Sequence, residues 1–231
     1  MQKLLVPVLT LCAALLTGVQ LNAQATFTVD PSQTWIGYMN VFELPSNGGG
    51  YDFGSPWGTG ALDANFTGPT LTLTPNSNID ATDPIDSYWW QAPNDGTTPG
   101  NHTMAASMYV QDQNYVGGTV TFTGNVLQNT LVSPYTSVAF IDDFTAGFAL
   151  VNTISTSDLT SGIFSISLNI VPGDVLQYGF ITTGPNARVL ALPGLGNAEI
   201  TAVPEPSTVA SFLGGIIGLG ILRWRKTGSK A

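Results

Sequence analysis

The chain has 231 residues, with 15 acidic and six basic side chains and a formal net charge of −9. A hydrophobic fraction of 43% can fill a core, which excludes a wholly disordered chain. Residues 26–203 hold 14 of the acidic residues and a single base, Arg188, so this stretch carries a net charge of −13. A surface that acidic repels phosphate backbones, which excludes nucleic-acid binding.

Residues 1–25 are typical of a secretory signal peptide. Lys3 supplies the positive charge, residues 4–16 form a short apolar run, and Ala23 and Ala25 are the small residues that signal peptidase requires. We expect cleavage after Ala25, with an uncleaved anchor as the alternative. The single cysteine, Cys12, lies in this segment, so the mature chain has no thiol for a disulfide or a nucleophile.

Residues 26–203 show the alternation of apolar and polar residues that is typical of strands, and no sustained helical periodicity. Clusters of Gly, Pro, Asn and Asp separate these segments at 48–50, 93–96, 117–118, 172–174 and 184–186. The pattern predicts an all-β, jelly-roll-like β-sandwich in one domain. The predicted strands are 34–44, 70–74, 103–111, 120–123, 136–142, 146–151, 163–170, 175–182 and 197–203.

One part of this domain has an order of strands and turns that resembles a known module. A strand at 104–110, a Gly117-Gly118 turn and strands at 119–125 and 137–142 are followed by a pair at 162–170 and 175–182. Over residues 85–183 this order resembles the galactose-binding-like jelly roll of carbohydrate-binding modules. The resemblance implies a sandwich that binds sugars through its loops.

Aromatic residues are the candidate ligand-binding groups, because sugar rings stack their apolar faces on flat side chains. The candidates lie in turn-rich segments near acidic residues, and they are Trp57, Tyr88, Trp89 and Trp90. On a strand, two adjacent tryptophans point to opposite faces, so at most one of Trp89 and Trp90 belongs to the core. The alternative is that all four fill the core or close loops.

A spaced set of carboxylates in the same region, Asp80, Asp83 and Asp86, is the candidate metal site. Calcium takes six to eight oxygen ligands from flexible loops, so a structural calcium ion is the ion expected here. The alternative is a solvated acidic loop. We expect no other cofactor.

The sequence gives little support to an enzyme. His102 is the single histidine, no G-x-S-x-G motif is present, and the domain has two glutamates, Glu43 and Glu199. A glycoside hydrolase needs two carboxylates facing each other across a cleft, and the adjacent Asp142 and Asp143 would point apart on a strand. We therefore expect no catalytic residues.

The C-terminal segment has three parts in a fixed order. A Pro-Glu-Pro motif precedes an uncharged stretch at about 207–222, which is long enough for a short transmembrane helix, and a basic cluster follows. The motif and the cluster consist of Pro204, Glu205, Pro206, Arg223, Arg225 and Lys226. Residues 204–226 resemble the PEP-CTERM sorting signal of Gram-negative bacteria, which leaves 227–231 as a cytoplasmic tail.

That resemblance implies recognition by an exosortase, after signal peptidase has acted at the N-terminus. It further implies passage across the inner membrane, with transient anchoring there, and delivery to the cell surface or beyond in a species that makes exopolysaccharide. The sequence thus predicts an exported, non-catalytic module that associates with polysaccharide or matrix. A purely structural or adhesive surface protein is the first alternative, and a glycoside hydrolase is the second.

Overall fold

The computed structural model of the protein describes residues 24–91, 96, 98 and 100–203. The expected signal peptide up to Ala23 lies outside the described residues. So do the sorting motif, the expected membrane helix at about 207–222 and the basic cluster that follows it. Within the described part of the chain, no helix is long and apolar enough to cross a membrane.

The described residues form twelve strands, two one-turn helices and three short 3-10 turns. The helices are α1 (Asn78–Thr82) and α2 (Leu192–Leu195), and the 3-10 turns are Pro45–Asn47, Thr59–Leu62 and Val189–Ala191. The strands are β1 (Gln24–Thr28), β2 (Ile36–Glu43), β3 (Tyr51–Trp57), β4 (Ala64–Thr67), β5 (Thr70–Leu73), β6 (His102–Asp112), β7 (Gly118–Asn129), β8 (Thr136–Phe144), β9 (Leu150–Ser155), β10 (Gly162–Ile170), β11 (Val175–Pro185) and β12 (Ala198–Thr201).

The strands build two six-stranded sheets. In the first sheet, β10 lies on one side of the long strand β7, while β1 and β12 follow each other along its other side and β5 and β4 complete the sheet. The second sheet has the order β3-β2-β6-β11-β8-β9. All pairs are antiparallel except β1 with β7. The prediction of an all-β sandwich is therefore confirmed.

The core lies between the two sheets, and alternation along each strand fills it. In β2, Met39 and Val41 are fully buried, whereas their neighbours Tyr38 and Asn40 face away from the core. Phe122 of the first sheet packs edge-on against Phe180 of the second, with ring centroids 5.4 Å apart. Burying such a side chain contributes about 1.5–3 kcal/mol to the free energy of folding, so the buried side chains of the facing strands hold the two sheets together.

The structure corrects several predicted elements. Sequence reasoning missed β1, β3 and β4. It also predicted a strand at 146–151, whereas residues 146–149 form a turn and β9 runs from Leu150 to Ser155. Phe148 in that turn has φ 61°, a left-handed conformation outside the extended region that regular strands adopt. Trp57, expected in a loop, is the last residue of β3.

Candidate ligand-binding cleft and a carboxylate–histidine cluster

The outer face of the second sheet carries a cleft of about 570 Å³. Strands β2, β6, β11 and β8 form its floor, and the turn before β9 forms one rim. Its lining combines aromatic rings with amide, hydroxyl and carboxylate groups. The lining residues are Tyr38, Asn40, Ser107, Tyr109, Gln111, Phe140, Asp142, Phe144, Phe148, Gln177 and Ile181.

A glycine lies in the sheet between two of the aromatic residues that line the cleft. Gly179 of β11 is paired with Tyr109 on one side and with Phe140 on the other. The two ring centroids are 6.5 Å apart, at an angle of 62°. A Cβ added to Gly179 would lie 2.1 Å from the carbonyl oxygen of Met108 and 2.6 Å from the Cα of Tyr109, so this close approach of the two strands requires glycine.

A row of polar side chains crosses the cleft beside these rings. Gln111, Gln177, Asp142 and Thr153 are successive cross-strand partners on β6, β11, β8 and β9. The amide of Gln177 donates to Gln111 at 2.7 Å, and the hydroxyl of Thr153 donates to Asp142 at 2.5 Å. Burial raises the pKa of Asp142, and the Thr153 hydrogen bond partly opposes that rise. The row therefore offers donors and acceptors along one edge of the aromatic floor.

Phe148 covers the rim of the cleft in an unusual conformation. Its side chain is 52% exposed although it lines the cleft, and its φ of 61° is in the left-handed region. A bulky residue in that region costs about 1–3 kcal/mol, and such strain clusters at binding sites. Hydrogen bonds between Thr145 and the backbone of Phe148 and Ala149 hold the turn.

The four aromatic residues predicted to bind a ligand do not form one surface. Trp90 is 4% exposed, and Arg188 covers its ring at 3.6 Å, so the prediction that it contacts a ligand is corrected: Trp90 is a core residue. Trp57 and Trp89 are half-buried against the core. Tyr88 is 42% exposed and is the most accessible of the four.

Two of the three aspartates predicted to hold calcium have separate partners for their carboxylates. The Asp80 carboxylate pairs with Arg188 at 2.6 Å, and the Asp86 carboxylate accepts a hydrogen bond from the Tyr88 backbone at 2.9 Å. The Asp83 carbonyl accepts the indole N–H of Trp90 at 2.8 Å. Among the described residues, the acid and histidine side chains that converge closely enough for one ion are instead Glu43, Asp52 and His102.

These three residues, here called the carboxylate–histidine cluster, lie at one end of the sandwich. Glu43 and His102 are cross-strand partners on β2 and β6. The Nε2 atom of His102 is 3.8 Å from Oε1 of Glu43 and 3.7 Å from Oδ2 of Asp52. Both carboxylates are partly exposed, whereas the His102 side chain is 5% exposed.

A β-bulge brings Asp52 into the cluster. Val41 and Phe42 are consecutive on β2, yet they pair with Phe53 and Tyr51, which leaves Asp52 without a cross-strand partner. The Tyr88 hydroxyl donates a hydrogen bond to Asp52, and its ring stacks on His102 with centroids 4.3 Å apart. Burial and the Asp52 carboxylate raise the pKa of Tyr88, so the phenol keeps its proton.

Asn186 fixes the segment that carries Tyr88 and Trp89 over the cluster. Its fully buried side chain donates to the carbonyl of Trp89 at 3.0 Å and accepts from the backbone of His102 at 3.2 Å. A Cβ on Gly100 would lie 1.6 Å from the Asn186 amide oxygen, so this contact requires glycine. The segment is thus positioned by tertiary contacts and not by regular structure.

The other acidic residues weighed as catalytic groups remain apart. Asp142 faces the cleft, whereas Asp143 is buried and its carboxylate accepts a hydrogen bond from the Val171 backbone at 3.4 Å. Glu199 lies on β12 of the other sheet. At the N-terminus, Ala25 belongs to β1 and pairs with Val120, so cleavage after Ala25 would shorten that strand to residues 26–28.

Sequence reasoning missed the cleft, although a signal was present. Tyr38 and Asn40 alternate with buried Met39 and Val41, and Tyr109 and Gln111 flank buried Val110 in the same way. Aromatic and amide residues on an outward face, where charged residues are usual, could have indicated a binding face. Compared with known proteins, the chain matches no family model, and no curated protein shows significant sequence similarity to it.

Proposed function

We propose that the sandwich is a non-catalytic module that binds a neutral polysaccharide in the cleft of the second sheet. The observation that carries this proposal is the combination, on one concave face, of aromatic rings with the row formed by Gln111, Gln177 and Asp142. Aromatic faces stack on the C–H faces of sugar rings, and amides and carboxylates bind the hydroxyl groups.

The charge distribution argues for a neutral polymer. Residues 26–203 carry a net charge of −13, and their one basic residue, Arg188, is buried against Asp80. Asp142 adds a carboxylate inside the cleft itself. An anionic polysaccharide would be repelled, whereas stacking and hydrogen bonding to a neutral one depend little on salt.

The terminal segments support an extracellular role. The signal-peptide pattern and the resemblance of residues 204–226 to an exosortase sorting signal indicate export to the surface of a Gram-negative cell. A module that meets polysaccharide outside the cell suits that route. We propose that the exported protein attaches to, or organises, such a matrix.

The test is affinity electrophoresis of the protein through gels that contain a neutral β-glucan, a galactomannan or the acidic polymer alginate. We expect retardation by a neutral polymer and none by alginate. Phe148→Ala removes an exposed ring from the rim and should weaken binding about 3- to 10-fold, the value of one aromatic contact. Gln177→Ala should also weaken it, because a hydroxyl partner is lost.

Leu127→Ala is the matched control, because Leu127 is 48% exposed, close to the 52% of Phe148, but lies on the other sheet. It should leave retardation unchanged. No retardation by any neutral polymer would support the alternative of a structural or adhesive surface protein. Release of shorter sugars from the gel polymer would instead indicate a glycoside hydrolase.

A further inference from the structure

We propose that Glu43, Asp52 and His102 bind one divalent transition-metal ion, with Zn²⁺ as the best fit and Mn²⁺ as the next. The site is separate from the polysaccharide cleft, and the proposal does not depend on it. The ligand atoms of the three side chains lie within 4.8 Å of one another. Three arguments support the site: the spacing, the state of the histidine and the way the fold holds the ligands.

The spacing suits a shared ion better than direct pairing. His102 Nε2 is 3.7 and 3.8 Å from the two carboxylate oxygens, which is too long for a hydrogen bond. Two ligands of a tetrahedral Zn²⁺ at bond lengths of about 2.0–2.2 Å are roughly 3.4 Å apart. Small side-chain rotations would therefore bring all three atoms onto one ion.

The histidine is buried without a polar partner for its ring. Its side chain is 5% exposed, and Nδ1 has no hydrogen-bond partner among the described residues. A buried imidazole normally hydrogen-bonds through at least one nitrogen, because an unsatisfied one is costly. Here Nε2 points at two carboxylates beyond hydrogen-bond distance, and an ion shared with them would give Nε2 the partner that it lacks.

The fold holds the ligands in place and leaves one side open. Cross-strand pairing fixes Glu43 beside His102, and the bulge in β3 directs Asp52 toward both. Tyr88 orients Asp52 through its hydroxyl and packs on the imidazole, the kind of outer contact that metal sites use to hold their ligands. The partly exposed carboxylates leave an entry path and room for water ligands.

The donor set selects the class of ion. Two carboxylates balance the charge of a divalent cation, the imidazole nitrogen suits Zn²⁺, and the carboxylate and water oxygens also suit Mn²⁺. Calcium and magnesium prefer sites built from oxygen alone. An ion at this position would fix the segment of Tyr88 and Trp89 to the end of the sandwich, because Tyr88 is bonded to one of its ligands.

The experiment is calorimetric titration of the chelator-treated protein with Zn²⁺, Mn²⁺, Ca²⁺ and Mg²⁺ separately, together with melting curves. We expect one Zn²⁺ per chain and a rise in Tm of a few degrees, because an ion that binds only the native state stabilises it. Mn²⁺ should bind more weakly, and Ca²⁺ and Mg²⁺ should produce no saturable signal.

Variants separate this site from adventitious binding. Loss of a residue that only hydrogen-bonds to a metal ligand typically weakens metal binding roughly 10–100-fold. Glu43→Gln replaces a proposed ligand itself, so it should weaken Zn²⁺ binding by more than that. His102→Gln should abolish binding, and Tyr88→Phe, which removes a positioning residue, should weaken it about 10-fold. Asp83→Asn is the matched control and should bind Zn²⁺ like the native protein.

Two results would overturn the proposal. One is the absence of saturable Zn²⁺ or Mn²⁺ binding, which would mean that His102 serves as a partner of the two carboxylates without an ion. The other is Zn²⁺ binding that Glu43→Gln leaves intact, or that Asp83→Asn abolishes, which would place the ion elsewhere. Because Glu43 is partly exposed, its variant should fold even if His102→Gln does not.

Discussion

Two clusters of acidic and basic side chains contact the segment 88–90, one through Trp90 and the other through Tyr88. They differ in the distances between their charged or polar atoms. In the first, Arg188 contacts Asp80 at 2.6 Å, donates to the carbonyl of Pro84 at 2.8 Å and lies over the ring of Trp90. In the second, His102 is separated from Glu43 and Asp52 by 3.8 and 3.7 Å. The first cluster is closed by direct contact, and the second is not.

The difference shows why residue type alone does not assign a role. Asp80 of the first cluster was predicted from spacing to bind a metal together with Asp83 and Asp86, but a buried guanidinium pairs with Asp80, and Asp86 accepts a hydrogen bond from the backbone of its own turn. A buried ion pair with additional hydrogen bonds is a structural element. The carboxylate–histidine cluster also places carboxylates beside a nitrogen-bearing side chain, but at 3.7 and 3.8 Å its members are too far apart for direct hydrogen bonds.

The largest effect should come from breaking the first cluster. Arg188→Met keeps much of the side-chain volume but leaves the Asp80 carboxylate without its buried cation. Removing one partner of a buried pair costs about 3–5 kcal/mol, so we expect the free energy of unfolding to fall by that amount. Urea denaturation of the native and variant proteins measures it.

Two further variants test whether the loss of the Arg188–Asp80 ion pair causes the loss of stability. Arg188→Met combined with Asp80→Asn should recover part of the loss, because the uncompensated charge is removed as well. Glu43→Gln, measured with chelator present, should change stability by less than about 1 kcal/mol, since a partly exposed, loosely paired acid contributes little. Equal losses for Arg188→Met and Glu43→Gln would contradict the distinction between the two clusters.

A second prediction concerns the connection between the clusters. Asn186 holds the segment over His102, and Arg188 lies two residues further along the chain. Gly100→Ala would place a methyl group against the buried Asn186 amide, and overpacking of this kind costs about 1–3 kcal/mol. The loss should appear in urea denaturation together with a change in tryptophan fluorescence, because Trp89 depends on this contact. Gly58→Ala, where an added Cβ meets open space, is the control and should be nearly neutral.

Much of the fold could be predicted from the sequence, because the pattern of residues within single strands indicates their buried faces. In β5, and in β10 from Phe164 onward, apolar and polar residues alternate strictly, so the sequence indicates which face of each strand is buried. β3 was missed because the sequence YDFGSPW contains Gly54 and Pro56, which are unfavourable in strands, and only its position at the sheet edge tolerates them.

The candidate site was harder to predict, because its parts are brought together by pairing over long distances. Glu43, Asp52 and His102 belong to three strands, and only the register of β2 with β3 and β6, together with a bulge, brings them into contact range. Likewise, the cleft residues Tyr109 and Phe140 flank Gly179 only because their strands pair with β11 on either side. No spacing along the chain encodes either arrangement.

The smallest expected effect is a pH dependence of stability that comes from Asp142, whose carboxylate accepts a hydrogen bond from the Thr153 hydroxyl. Burial disfavours its charged form, so its pKa in the folded protein lies above the ordinary value of 3.8. The folded state therefore binds the proton more tightly than the unfolded state, and this contribution to stability is present below the unfolded pKa and is lost as the pH rises through the folded pKa.

Asp142→Asn should remove this dependence, so the native protein should lose stability relative to the variant as the pH rises. Thr153→Val should enlarge the effect, because it removes the hydrogen bond that favours the charged form. Thermal melts from pH 3 to 7 measure the difference, and parallel curves for the native protein and Asp142→Asn would show that the Asp142 carboxylate is solvated like one on the surface.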